Sequence, residues 1–153
     1  MRAPLVLTRQ ALVQAWVAQM IGTIVLCGAV LVFVKAMGTP FSTGENEWKR
    51  YAMLGVMLGG IPALAYMRTY KAALNLDDRL ERERGVPDPA ARIALRRGLT
   101  IGGALCEIPM AMGVVQLFFG GDTRWFLGAT LVTIALRLSY RPFIRFQKPA
   151  RAG

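Results

Sequence analysis

The stretch LTIGGALCEIPMAMGVVQLFF, residues 99–119, is apolar throughout except for a few neutral polar residues and one charged residue, Glu107. An α-helix rises about 1.5 Å per residue, so this stretch is about as long as the hydrocarbon layer of a bilayer is thick. Glu107 then lies near the middle of that layer, where an unpaired carboxylate facing lipid is strongly unfavourable. We therefore expect Glu107 to be protonated, paired or turned toward a protein interior.

The rest of the 153-residue chain has the same character, with further apolar segments at residues 11–37, 51–67 and 125–138. A hydrophobic content of 54% is high for a soluble domain of this size. The first segment is too long for the core of a signal peptide and has no small-residue cleavage site, which predicts a retained helix. The sequence therefore predicts an all-α membrane protein, in which residues 1–153 form a single domain of four transmembrane helices.

The positions of the 19 basic residues predict an orientation. Fifteen of them lie near the two termini or between the second and third segments, three lie on the opposite side, and Lys35 lies near the end of the first segment. The positive-inside rule then places both termini in the cytoplasm, which predicts a multi-pass protein of the bacterial inner membrane with anionic lipids at its cytoplasmic face. No nucleic-acid partner is expected, because the basic residues lack interleaved stacking aromatics.

The connection between the second and third segments predicts a helical hairpin in the cytoplasm. Strong helix formers continue to Arg84, and the spacing of Asp78/Arg82 and Arg79/Glu83 favours ion pairs along one helix. The ends of the two helices are marked by residues typical of caps, which are Gly85, Asp88 and Pro89. The hairpin either sets the topology alone or is a docking surface for a partner.

Small residues surround Glu107 and also occur in the second segment. On a helical wheel, Glu107 shares its face with Gly103, Ala104 and Ala111, so we expect this face to pack against another helix. Gly55 and Gly59 form a four-residue glycine spacing that favours close approach of helices. The predicted helix-packing residues are Gly55, Gly59, Gly60, Gly103, Ala104 and Ala111.

Possible polar partners of Glu107 lie in the other apolar segments and higher in its own segment; they are Gln19, Thr23, Gln116 and Thr130. No basic residue is predicted to lie deep enough to pair with it, because Arg137 is expected to extend to the inner boundary. The sequence thus predicts a neutral Glu107 that hydrogen-bonds to a neighbouring helix. Three roles remain open: an interhelical contact, proton or cation handling, and binding of a polar ligand or lipid head group.

Residue types needed for several kinds of chemistry are missing from the sequence. It contains no histidine, and its two cysteines, Cys27 and Cys106, lie in apolar segments without metal-ligand spacing. Glu107 has no second acid or base beside it for paired catalysis. We therefore expect no metal, no cofactor and no enzymatic activity.

The segment RRGLTIGGALCEIPMAMG, residues 96–113, with the GGD turn at 120–122 and Arg141-Pro142, resembles an uncharacterised family of small bacterial four-helix membrane proteins. The shorter segment ALCEIPMAMG, residues 104–113, is also similar to the ion-carrying helix of rotary ATPase proteolipid (c-type) subunits. Our interpretation is a non-enzymatic structural or accessory subunit of a homo-oligomer or membrane complex. The alternative, implied by the second resemblance, is a proteolipid-like subunit that translocates protons or cations through Glu107.

Overall fold

The computed structural model describes residues 8–39 and 47–142. In these two ranges 88% of the residues are helical and there is no strand, which confirms the predicted all-α class. The helices are α1 (Arg9–Met37), α2 (Glu47–Leu58), α3 (Ile61–Arg84), α4 (Pro89–Cys106), α5 (Ile108–Gly120) and α6 (Thr123–Ser139).

Two pairs of helices follow one another almost without interruption and form two long rods. The α2–α3 rod is broken at Gly59 and Gly60, and the α4–α5 rod is broken at Glu107. A proline follows each break by two residues, Pro62 in one rod and Pro109 in the other. Proline lacks a backbone N–H and clashes with the preceding helical turn, which explains why the regular hydrogen bonding stops at these points.

The two rods run antiparallel, with α2 against α5 and α3 against α4. Their breaks lie at the same level, since a Cβ atom on Gly59 would lie 3.1 Å from Cγ2 of Ile108 and 3.2 Å from the backbone nitrogen of Pro109. The glycine at the first break therefore lets the backbone of one rod approach the second break. α6 packs against α5, and α1 makes fewer contacts, mainly with α4 and α6.

The core has two parts. The larger part lies between α1, α3, α4 and the end of α6, and it centres on Tyr70, Leu99 and Tyr140. There the Tyr140 hydroxyl donates a hydrogen bond to the carbonyl of Ala63, and the ring of Tyr140 occupies the space that a side chain at Gly102 would need. The smaller part contains Met110, Leu117 and Phe126, and the C-terminal half of α1 covers it.

The caps between α3 and α4 lie at the residues that the sequence indicates. Gly85 ends α3 in the left-handed conformation, with φ of 68°, and its N–H donates to the carbonyl of Glu81. Asp88 caps α4 through a hydrogen bond from the N–H of Ala90, and Pro89 is the first residue of that helix. The chain thus reverses direction within four residues.

Three helical units of the described chain are long and apolar enough to cross a membrane: α1, the α2–α3 rod and the α4–α5 rod. This agrees with a membrane protein. The α2–α3 rod has 38 residues, or about 57 Å, so its charged end extends beyond a hydrocarbon layer of about 30 Å. α6 has 17 residues, a length of about 25 Å.

Candidate functional site

Glu107 lies at the break in the α4–α5 rod and forms an ion pair with Arg137 of α6. Nη2 of Arg137 donates to Oε1 of Glu107 at 2.5 Å, and Nη1 of the same guanidinium donates to Oε1 of Gln19 on α1 at 3.1 Å. The side chain of Arg137 is 5% exposed, whereas that of Glu107 is 47% exposed. One buried cation therefore joins α1, the α4–α5 rod and α6.

The turn between α5 and α6 sets the level of this pair. Glu107 and Arg137 each lie about 15 residues from the turn, or about 22 Å along their helices, so the antiparallel helices bring them to the same height. Trp16 of α1 then holds the end of α6, since its Nε1 donates to the carbonyl of Arg137 at 2.9 Å. α1 thus contacts both the side chain and the backbone of Arg137.

Gly103 makes room for the third member of this cluster. A Cβ atom at Gly103 would lie 2.6 Å from Oε1 of Gln19, which is closer than real Cβ atoms approach. The missing side chain lets the Gln19 amide lie against α4 and reach Arg137. Gly103 is therefore a packing residue of the cluster.

The ion pair corrects the sequence-based prediction of a neutral Glu107 without a basic partner. Arg137 is buried between the helices and does not extend outward, and its Nε has no hydrogen-bond partner in the described part of the chain. The prediction was wrong because it judged depth from the end of α6. Counting from the turn at Gly121 toward both residues would have indicated that they lie at one level.

The four predicted polar partners have different surroundings. Gln19 reaches Glu107 only through Arg137. The hydroxyls of Thr23 and Thr130 donate to carbonyls four residues earlier in their own helices, at 3.1 and 2.9 Å. Gln116 is fully buried and lies about two and a half helical turns from Glu107 toward the C-terminus. Neither the oxygen nor the nitrogen of its amide has a hydrogen-bond partner among the described residues.

The predicted glycines lie where helices approach one another. A Cβ atom at Gly55 would lie 2.7 Å from Cγ of Met112, so α2 approaches α5 closely there. Gly59 faces the break beside Pro109, and Gly60 faces Leu136 of α6. These contacts connect the α2–α3 rod to both of its neighbours.

Ala104 and Ala111 do not pack against another helix of this chain, so their predicted role in helix packing stays a prediction that concerns contacts outside the chain. Both are exposed, because the inward face of the α4–α5 rod is formed by other residues, among them Gly103, Cys106 and Met110. Thr100 is also exposed. The positions 100, 104, 107 and 111 recur every three or four residues and form one surface, which we call the Glu107 face.

A second, larger ion cluster lies between α3, α4 and the start of α1. Nε of Arg92 donates to Asp77 at 2.7 Å, and its Nη2 donates to Glu81 at 2.6 Å. Arg9 bonds the same Glu81 at 2.7 Å and Asp78 at 3.2 Å. Carboxylate oxygens of Asp77, Asp78 and Glu81 lie within 4.8 Å of one another, and each of these carboxylates is bound by at least one of the two arginines.

Two pKa shifts describe this cluster, which lies beyond the apolar part of the α2–α3 rod. Burial raises the pKa of Asp77, although the charge and hydrogen bond of Arg92 oppose this effect. Burial also acts to raise the pKa of Glu81, but the hydrogen bonds and charges of Arg9 and Arg92 together outweigh it, and the pKa is lowered. The two arginines therefore favour the ionised form of Glu81.

Comparisons of the chain with models of known protein families, with curated proteins and with solved structures find no match. The geometry of the Glu107 face and of the two ion clusters is therefore the basis for a proposed function.

Proposed function

We propose that this protein is a non-enzymatic structural or accessory subunit of a membrane assembly, and that the Glu107 face binds a transmembrane helix of a second copy or of another subunit. The observation that supports the proposal is the exposure of Glu107. Its carboxylate is ion-paired on one side, yet 47% of its side chain lies on the surface of the single chain.

The exposed carboxylate is unfavourable in contact with lipid. At this depth a charged oxygen finds neither water nor donors in the hydrocarbon layer, and ionisable groups inside membranes usually face a protein interior. A neighbouring helix that supplies a hydroxyl, amide or basic side chain would satisfy the free oxygen. The exposed Ala104 and Ala111 would let that helix approach closely.

Arg137 favours a structural role for Glu107 over a transporting one. A guanidinium remains charged at all physiological pH values, so the carboxylate has a permanent counter-charge. Such a pair fixes the position of α6 against the break in the α4–α5 rod. The remaining carboxylate oxygen is then held in a constant orientation toward the partner.

The placement in the membrane is part of the proposal. α6 would be a fourth, short span, with Tyr140 and Arg141 at its C-terminal end near the inner boundary. The excess of basic residues supports cytoplasmic termini, a cytoplasmic α3–α4 hairpin and contact with anionic lipids of a bacterial inner membrane.

Site-specific photo-crosslinking in the membrane tests this function. The photoreactive residue p-benzoyl-phenylalanine replaces Ala104 or Ala111 on the Glu107 face, and Leu131 on α6 serves as the control. Leu131 is exposed as well and lies at a depth similar to that of Ala111, about 12–14 Å below the α5–α6 turn.

We expect a discrete protein adduct from positions 104 and 111 and none from position 131. An adduct with twice the mass of the chain identifies a second copy, and any other discrete mass identifies a different subunit. Equal crosslinking at all three positions, or none at positions 104 and 111, would exclude a specific helix partner at this face.

Proton or cation translocation is a second candidate, favoured by the two helix breaks that lie against each other at Gly59 and Glu107. Broken helices bind ions at the middle of many transporters. The fixed charge of Arg137 beside the carboxylate disfavours a cation there, so we rank this function second. Proton uptake by vesicles that contain the protein, lost in Glu107→Gln, would reverse the ranking.

A further inference from the structure

We infer that a groove between α2 and α6 binds the acyl chain of one phospholipid, whose phosphate is held by Arg124. The groove has a volume of about 380 Å³, and no residue of the Glu107 face lines it. Its walls are formed by residues of the two helices: Val56, Met57, Arg124, Trp125, Gly128 and Val132. This site is independent of the proposed subunit function.

The shape of the groove fits a chain that enters from one end. Along α6 the groove extends from Arg124 to Val132, which is about 12 Å, slightly less than half of a 30 Å hydrocarbon layer. Beyond Val132 it closes, because Gly60 at the helix break lies against Leu136, with 3.3 Å between its Cβ position and Cδ1 of Leu136. The groove thus ends near the middle of the membrane.

This length indicates a lipid and not a protein helix. A transmembrane helix from another subunit would continue across both leaflets and would need a surface about 30 Å long. An acyl chain belongs to one leaflet and ends at the midplane, as the groove does. Gly128 widens the groove in the middle, where a side chain would otherwise fill it.

The open end of the groove has groups that suit a lipid head group. Arg124 is exposed, and none of the ion pairs in the described ranges includes its guanidinium. Arginine binds phosphate oxygens through two parallel hydrogen bonds. Trp125 lies beside it, and tryptophan is enriched where acyl chains meet head groups. The charge of Arg124 and the depth and shape of the groove therefore all fit a glycerophospholipid.

Gly128→Leu fills the groove with little effect on the fold, since no atom lies within 4 Å of the position that its Cβ would take. Gly28→Leu is a matched control: its Cβ position is equally empty, and it lies on α1, outside the groove. A second variant, Arg124→Gln, removes the phosphate contact and leaves the walls unchanged. Thermal unfolding in detergent verifies that all three variants are folded.

Native mass spectrometry of the detergent-solubilised protein, with phosphatidylglycerol added, measures the binding. We expect one retained lipid per wild-type chain and the same for Gly28→Leu. Gly128→Leu should lose the adduct, and Arg124→Gln should bind about tenfold more weakly, as for the loss of one charged hydrogen bond.

Three results would overturn the inference. The first is the absence of a lipid adduct on the wild-type chain. The second is equal retention of lipid by Gly128→Leu and Gly28→Leu. The third is a dimer of the protein that only Gly128→Leu disrupts. The last result would assign the groove to a second copy of the chain.

Discussion

Two buried arginines, Arg92 and Arg137, each bind a carboxylate, but their surroundings differ. Arg92 lies between Asp77, which is fully buried, and Glu81, which Arg9 also binds. Arg137 has one carboxylate, Glu107, and the neutral amide of Gln19. The first cluster is closed at its centre, because both side chains of the Arg92–Asp77 pair are buried in their own chain, whereas the second is open at the carboxylate.

This difference suggests different roles for the two clusters: the first stabilises the fold, and the second is proposed to bind a partner. The closed pair of Arg92 and Asp77 has both charges inside the chain and joins α3 to α4, and Arg9 connects the same cluster to α1 through Glu81. The open pair leaves a carboxylate at the surface of a helix, where the proposed partner helix would supply its remaining hydrogen bonds. The comparison therefore supports the Glu107 face, and not the cluster around Arg92, as the proposed interaction site.

Arg92→Ala should have the largest effect, because it leaves Asp77 buried and without its cation. Removing one partner of a buried ion pair typically lowers the free energy of unfolding by about 3–5 kcal/mol. Chemical unfolding in mild detergent measures the loss. Arg96→Ala on the next turn of α4 is the control, since Arg96 is exposed, and it should leave the stability unchanged. Similar losses in both variants would show that the cluster is not closed.

Arg9→Ala should have a smaller and more local effect. Its partners Asp78 and Glu81 are each about one-third exposed, so solvent weakens the pairs and we expect a loss of about 1 kcal/mol. Hydrogen exchange should become faster in the first turns of α1 and remain unchanged in α5. Arg79→Ala removes only an exposed pair with Glu83 and is the control. Unchanged exchange in α1 would mean that Arg9 does not anchor the helix.

The sequence predicted the local features of the closed region well. Gly85, Asp88 and Pro89 act through backbone geometry within a few residues, so their roles can be read without knowledge of the tertiary fold. The ion pair between Arg79 and Glu83, spaced four residues apart, is present as well. Asp78 instead pairs with Arg9, which is 69 residues away, and no local rule predicts such a contact.

The pair of Glu107 and Arg137 could not be predicted from the local sequence pattern either, because its two residues lie on different helices. The sequence alone draws attention to Glu107, because an acidic residue inside a long apolar stretch is unusual. Its partner depends on the register of α6 against the α4–α5 rod and on the side toward which Arg137 points. The direction of the Glu107 face also depends on packing, because Gly103 and Ala104 are adjacent in sequence but face opposite environments.

A double-mutant cycle on Glu107 and Arg137 tests the central claim most directly. Thermal unfolding in mild detergent compares the wild type with Glu107→Gln, Arg137→Met and the double variant. Glu107→Gln leaves a buried guanidinium without its counter-charge, whereas the double variant removes both charges and keeps similar side-chain volumes.

We expect Glu107→Gln to lower the stability and the additional Arg137→Met to recover part of the loss. The expected coupling energy is about 1 kcal/mol, less than for a fully buried pair because Glu107 is half exposed. If Glu107→Gln is as stable as the wild type and the two substitutions are additive, Glu107 and Arg137 are not a structural pair, and the account of the open site is wrong.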